Sequence, residues 1–322
     1  MIGRGGLVAF PTETVYGLGA NAYDAKAVQS IFTAKGRPGD NPLIVHVDGV
    51  RSAQKIAVFG ELADKLADAF WPGPLTLVLA AIDMPAAVTA GLNTVGVRMP
   101  DSDAALSLIS AAGVPIAAPS ANKSGSPSPT TAAHVASDFG QELMILDAGA
   151  CSVGVESTVI DMTRGVPLIL RPGAVTQQMI EQVIGPVACS QAFCAEETSA
   201  PASPGMKYRH YAPAAKLTVV EGEHVSVAEA IKYLYDKDIK NGEKPLVMGS
   251  RENKKYYGQR DLFITGSKFS PREAAQKLYG SLRDADEQGF TSIYYEALPR
   301  EGIGFAVMNR IYKASGYNIV KV

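Results

Sequence analysis

The stretch Leu7-Val-Ala-Phe-Pro-Thr-Glu-Thr-Val-Tyr-Gly-Leu-Gly-Ala20 decides how the chain is read. Its four leading apolar residues, closed by Pro11, predict a short buried strand, since proline cannot donate to a ladder and stops the run. A polar loop around Thr12, Glu13 and Thr14 follows. The glycines at its end, in Gly17-Leu-Gly-Ala-Asn-Ala22, match the dinucleotide pattern GxGxxA, and Asp40 lies about where a ribose-binding acid would. That reading is set aside. The glycines should follow a strand immediately and Asp40 should end one, whereas a polar loop precedes the first and a Gly/Pro-rich loop holds the second.

Working outward, Asp24 reads as an N-cap, and Val28, Ile31 and Phe32 at i, i+3 and i+4 form the apolar face of a helix ending at Gly36. The loop Lys35-Gly-Arg-Pro-Gly-Asp-Asn-Pro42 leads to a strand at Leu43–Val47. A helix with Leu62, Leu66 and Phe70 on one face is broken by Trp71-Pro-Gly-Pro74. Strands at Leu75–Leu79, Val95–Arg98, Val114–Ala118, Ser157–Met162 and Leu168–Arg171, with a helix capped at Asp101, complete an α/β unit over residues 1–190.

Residues 191–215 change character and show no helical or strand period. The run Lys207-Tyr-Arg-His-Tyr211, bracketed by Pro204-Gly205 and Pro213, carries more ligand-binding side chains than a spacer needs and predicts a lid over the active site. From 216 to 322, strands at Leu217–Val220, Pro245–Met248, Leu262–Thr265 and Ser292–Tyr295 alternate with helices around Val227–Tyr235, from Ser270 and from Ile303. This predicts a small open α/β sheet. Ser270 with Glu273 predicts a capping box, Pro271 fits the first helical position, and Ala275, Leu278 and Leu282 share one side.

With 322 residues, 47% hydrophobic and 19% charged, the composition is that of a globular enzyme of two domains. A net charge of −2 argues against nucleic-acid binding as the main task, so a tRNA contact would need a local basic patch. Three cysteines without a CxxC pair and four scattered histidines do not read as a structural zinc site. No apolar run is long enough for a membrane span, which predicts a cytoplasmic protein. Cys151 lacks a nearby histidine base and is not read as a nucleophile.

The polar clusters Thr12–Thr14, Lys35–Arg37 with Asn41, Arg98, and Ser120–Asn122 with Lys123 all fall at strand ends or loops. In open α/β sheets such loops gather at a shared crevice. Their guanidinium, ammonium, hydroxyl and amide donors suit phosphates and a substrate carboxylate. There is no P-loop, GxSxG, HExxH or paired-carboxylate motif.

The runs Phe10–Ala20 and Ala34–Leu43, the Lys35/Arg37 with Ser120/Asn122 set and Glu156-Ser-Thr158 resemble the threonylcarbamoyl-AMP synthase family. Ser203–Pro213 resembles the linker of its long, two-domain form. The resemblance implies a YrdC-like twisted mixed sheet flanked by helices and a smaller Rossmann-like α/β C-terminal domain. Relatives usually have about a helix before the Gly-Gly-Leu-Val strand, so Met-Ile-Gly-Arg implies a shortened N-terminus. It implies synthesis of L-threonylcarbamoyladenylate and pyrophosphate from ATP, L-threonine and bicarbonate or CO2, with Mg²⁺ entering on the ATP phosphates. It implies that Lys35 and Arg37 are catalytic and that Thr14, His46, Arg98, Ala118, Ser120 and Ser157 border threonine. Arg37, Asn41, Thr94, Ser120, Asn122, Ser128, Arg171 and Tyr211 would border ATP. The product would pass to downstream threonylcarbamoyl transferase proteins. A double-stranded RNA or tRNA-binding module, built on Lys35, Arg37, Arg98, Lys123 and Arg171, is the alternative.

Overall fold

A computed structural model of the chain describes residues 1–36, 38–140, 142–190 and 211–322. They divide into two compact units. The first is built on a ten-stranded mixed sheet. Its strands are β1 (Val8–Phe10), β2 (Gly17–Asn21), β3 (Ile44–His46), β4 (Leu75–Ala80) and β5 (Thr94–Arg98), then β6 (Ile116–Ala118), β7 (Met144–Ile145), β8 (Thr158–Asp161), β9 (Leu168–Arg171) and β10 (Ala188–Cys189). They lie in the order β10-β9-β8-β4-β5-β3-β6-β2-β1-β7. Parallel pairs such as β3/β5 and β4/β8 alternate with antiparallel ones such as β4/β5 and β1/β2.

Both faces of this sheet are covered, and the two-residue side-chain period shows how. Val8, Phe10, Ile116 and Ala118 point into a core with Ala105 and Ile109 of the helix Asp103–Ala112. Their neighbours Ala9 and Ala117 join the opposite core with Val28, Ile31 and Phe32 of the helix Ala25–Lys35. That helix starts where Asp24 accepts from the amides of Lys26 and Ala27 and stops at Gly36, whose φ of 63° is left-handed.

The glycine-rich run is not a phosphate loop. Gly17 and Gly19 lie in β2, paired with β1 on one side and followed along the other by β6. A Cβ on Gly19 would come 2.7 Å from Ile116 Cγ2 and 2.8 Å from Phe10, so glycine is required by side-chain packing across the sheet. The loop after β1 thus runs over residues 11–16 and ends where the glycines begin.

Other expectations are corrected. The helix after β5 is capped by Ser102, whose hydroxyl accepts from Ala105 N, not by Asp101. In the helix Glu61–Phe70 the buried residues are Ala63, Leu66 and Ala67, Phe70 packs partly buried against the same core, and Leu62 is exposed.

The second unit holds a five-stranded parallel sheet. Its strands are β11 (Lys216–Glu221), β12 (Pro245–Ser250), β13 (Leu262–Gly266), β14 (Ser292–Glu296) and β15 (Ile319–Lys321). The order β13-β12-β14-β11-β15 keeps the Rossmann-like open parallel plan but places β14 between β12 and β11. Helices His224–Lys240, Pro271–Glu287 and Ile303–Ser315 connect the strands. Val227, Ala228 and Ile231 pack on Val220, Val247 and Tyr294 of the sheet. Ala275, Leu278 and Leu282 are buried, as their spacing implied. The capping box is not formed: Ser270 makes no side-chain cap, and the Glu273 carboxylate turns to Arg251 at 2.8 Å.

Candidate active site

The site grows from the turn after β1. Thr12 Oγ1 donates to Val15 O at 2.7 Å and receives the amides of Thr14 and Val15, a hydroxyl-closed turn that needs no glycine. The same oxygen lies 2.8 Å from Thr14 Oγ1, which accepts from Arg98 Nη1 at 2.9 Å. Arg98 reaches the turn from the end of β5, and its Nε donates to Gly73 O at 3.2 Å. Its Nη2 lies 2.5 Å from Glu13 Oε2, both side chains being 4% exposed. His46 stands beside Arg98 in the β3/β5 register, with Phe10 edge-on to its ring at 5.7 Å.

Burial and then the Arg98 charge hold the His46 imidazole neutral, with its pKa lowered to about 3. Arg98 thus meets a hydroxyl, a carboxylate and a neutral ring. Cys151 is buried close by, and desolvation and then the Glu13 charge push its thiol up to about 12. A thiol held protonated in this way is not a nucleophile.

Around this centre, Ser157 Oγ lies 2.8 Å from Thr76 Oγ1 and accepts from Arg171 Nη2 at 3.1 Å, while Arg171 Nε donates to Ser157 O at 3.0 Å. Register places β8 next to β4, so Ser157 stands just before the strand that flanks Thr76. On the β2/β6 side, Lys35 is buried and donates to Ser120 O and Asn122 O, both at 2.6 Å. Ser120 Oγ donates to Asn122 Oδ1 at 2.5 Å. The backbone couples the two regions, Ala121 N donating to Tyr16 O at 2.8 Å. Ser128 Oγ donates to Glu156 Oε1 at 2.7 Å inside the unit.

Thr14, His46 and Arg98 therefore converge, as do Ser157 with Arg171 and Lys35 with Ser120 and Asn122. Ala118 is buried at the end of β6, Thr94 is half-buried at the start of β5, and Asn41 is half-buried in the loop before β3. Tyr211 belongs to the second unit, where its ring lies 5.5 Å from that of Tyr279. Arg37 and the segment 191–210, which carries most of the expected lid, lie outside the described residues. Sequence reasoning did not pick out Thr76 as a site group and gave no individual role to Glu13, inside the cluster Thr12–Thr14, or to Glu156, inside Glu156-Ser-Thr158. Glu13 is the acid of an otherwise uncharged turn and Thr76 the hydroxyl of an apolar strand, which were the available signals.

Fold and site together define an α/β protein of the enzyme type, whose doubly covered mixed sheet gathers cations and hydroxyls at its strand ends, with no activated nucleophile among the described residues there. Among those residues no helix is long and apolar enough to cross a membrane. The family profile described as "Telomere recombination" matches residues 1–173, and the one described as "Threonylcarbamoyl-AMP synthase, C-terminal domain" matches 175–316. The threonylcarbamoyl-AMP synthase of Pyrococcus abyssi is 49% identical, over 100% of this chain and 94% of that protein. That of Bacillus subtilis is 44% identical, over 98% of this chain and 91% of that protein. The crystal structure of P. abyssi Sua5 complexed with L-threonine superposes with a TM-score of 0.91 at 48% identity, covering 100% of this chain and 94% of that one. The chain belongs to the threonylcarbamoyl-AMP synthase family, a nucleotidyltransferase family, and the RNA-binding alternative is not favoured.

Proposed function

We propose that the chain makes L-threonylcarbamoyladenylate and pyrophosphate from ATP, L-threonine and bicarbonate or CO2, the first step toward the threonylcarbamoyl modification of tRNA. The observation that carries this reading is the full-length likeness to named synthases, one of them solved with L-threonine, combined with the Arg98–Thr14–His46 cluster. Threonine's neutral amine adds to CO2 and sheds a proton to solvent to give a carbamate, whose oxygen bonds to the α-phosphorus as the bond from that phosphorus to the α–β bridging oxygen breaks and pyrophosphate leaves. Such a displacement needs positioning and charge neutralisation rather than a protein nucleophile.

Arg98 suits the threonine carboxylate, and Thr14, His46, Ser120 and Ser157 supply polar partners that read the side-chain hydroxyl. A site that pairs a hydroxyl rejects an analogue lacking it far better than an apolar pocket does. Arg37, Asn41, Thr94, Ser120, Asn122, Ser128 and Arg171 are proposed to border ATP, with Lys35 and Arg37 as the catalytic cations. Lys35, fixed on two carbonyls at the end of β6, acts there as an oriented charge. Mg²⁺ fits as an ion carried in on the triphosphate oxygens: the pocket carboxylates Glu13 and Glu156 already face Arg98 and Ser128, and the ion would offset phosphate charge. The product would be consumed by a threonylcarbamoyl transferase acting on tRNA in the cytoplasm.

The test is pyrophosphate release by the full chain. It should require ATP, threonine and bicarbonate together, run poorly with serine and more poorly with valine, and fall well beyond tenfold, or about 1.4 kcal/mol, in Arg37→Ala. Equal rates with and without threonine would overturn the reading.

A further inference from the structure

Thr76 is a hydroxyl in a strand otherwise made of Leu75, Leu77, Val78, Leu79 and Ala80, and it is fully buried. A buried hydroxyl is costly unless it is paired, and a valine would fill nearly the same volume in β4 without that cost. Its partner is Ser157 Oγ at 2.8 Å, just before the strand β8 that runs alongside β4. Ser157 in turn holds Arg171 by two routes. Its carbonyl accepts from Arg171 Nε at 3.0 Å, and its Oγ accepts from Arg171 Nη2 at 3.1 Å. Arg171 ends β9 half-buried, so the chain Thr76–Ser157–Arg171 runs from the closed interior of the sheet to a residue that still meets solvent.

The two routes depend on different things. The Ser157 carbonyl is fixed by the backbone around it: Thr158 N donates to Pro74 O at 2.9 Å, and Gly173 approaches so closely that a Cβ there would lie 2.3 Å from Thr158 N and 2.7 Å from Ser157 C. The Ser157 hydroxyl has no such constraint, because a serine side chain can turn among its staggered wells. Thr76 supplies one. A β-branched residue is stiff at χ1, and a Cβ on Gly96 of β5 would come 3.3 Å from Thr76 Cγ2, so the methyl packs on that glycine while the hydroxyl faces Ser157. We propose that Thr76 is a positioning residue for ATP binding, its hydroxyl fixing the Ser157 rotamer that aims the Arg171 guanidinium at the nucleotide. This rests on the synthase reading, which sets Arg171 beside ATP, and adds to it a group that touches no substrate. Whichever of the two hydroxyls donates, the pair holds the same rotamer. A planar guanidinium tied at two points is already aimed when the phosphates arrive, and less side-chain freedom is then lost on binding.

The experiment is a double-mutant cycle read by calorimetry of Mg-ATP binding to the full chain. Thr76→Val should weaken binding about fivefold, the size of one net hydrogen bond, while Thr76→Ser, which keeps the hydroxyl, should stay within about twofold of wild type. Arg171→Gln alone should lose about tenfold or more. In the Arg171→Gln background the Thr76→Val loss should shrink below about twofold, because the group that Thr76 aims is gone. Unchanged binding in Thr76→Val or in Arg171→Gln, equal losses for the Ser and Val variants, or the same Thr76→Val loss in both backgrounds would each overturn the proposal. Should Thr76→Val fail to fold, as circular dichroism would show, Ser157→Ala takes its place in the cycle, and equal losses in both backgrounds again overturn it. Pyrophosphate release that ignores threonine sinks the synthase reading itself, whereas threonine-dependent release with equal losses in both backgrounds sinks only the role of Thr76.

Discussion

Glu13 in the first unit and Glu296 in the second are both buried carboxylates placed where a strand runs out, and they are treated in opposite ways. Glu296, the last residue of β14, accepts from Ser250 N at 2.7 Å through one oxygen and from Asn253 Nδ2 at 2.8 Å and the Tyr257 hydroxyl through the other. Burial and then the Glu296 charge push the Tyr257 phenol well above its ordinary range, so it stays a donor. The Glu13 carboxylate is ion-paired with Arg98 and accepts no hydrogen bond from a described residue. The lesson is that burial of a charge does not by itself mark a site. One carboxylate is satisfied by hydrogen bonds from its own unit and the other by a single buried guanidinium, so loss of the partner costs more in the second case.

The largest effect expected from this contrast is in the first unit. Arg98→Ala should cost about 3–5 kcal/mol of stability, because it leaves Glu13 buried without a cation, and should abolish threonine-dependent pyrophosphate release. Denaturant melts and the release assay would check both, and a small stability change would mean that Glu13 reaches water. In the second unit, Glu296→Gln should cost about 1–3 kcal/mol, since an amide NH₂ would face donors, yet leave pyrophosphate release near wild type. Loss of activity without loss of stability would break the assignment of Glu296 to architecture.

His46 supplies a pH test. Its folded pKa of about 3 lies below the ordinary 6.5, so burying the neutral ring contributes stability that is fully present above about 6.5 and lost as pH falls toward 3. Below 6.5 wild type should lose up to about 1.4 kcal/mol per pH unit more than His46→Gln, read from denaturant midpoints between about pH 7 and pH 4. Parallel curves would show that the imidazole is hydrated.

The smallest effect concerns two serines at helix starts. Ser102 caps Ala105 N and donates to Pro11 O at 3.0 Å, so Ser102→Ala should cost about 1 kcal/mol. Ser270 makes no side-chain cap, and Ser270→Ala should stay within about 0.5 kcal/mol. Thermal midpoints of the two variants should therefore separate.

Local signals were legible in the sequence wherever one residue type dictates one conformation. Asp24 and Gly36 bound a helix because a short acceptor and a left-handed φ are required there, and Pro11 ends β1 because it lacks an amide hydrogen. Apolar runs marked most strands, and their alternation with helices marked the α/β class. The placement of Thr14, Arg98 and Ser120 at strand ends was likewise visible, since polar residues following buried strands must emerge at an edge of the sheet, whereas Ser157 entered only through the family resemblance. What only the tertiary structure decided was which of these groups meet and which bonds they already have. That Gly19 faces Phe10 and Ile116 follows from β1 and β6 flanking β2, an order no local pattern encodes. That Glu13 meets Arg98 across 85 residues while Glu296 is met by three hydrogen-bond donors depends on strand order and register, because hydrogen-bond satisfaction is a property of neighbours in space and not in sequence.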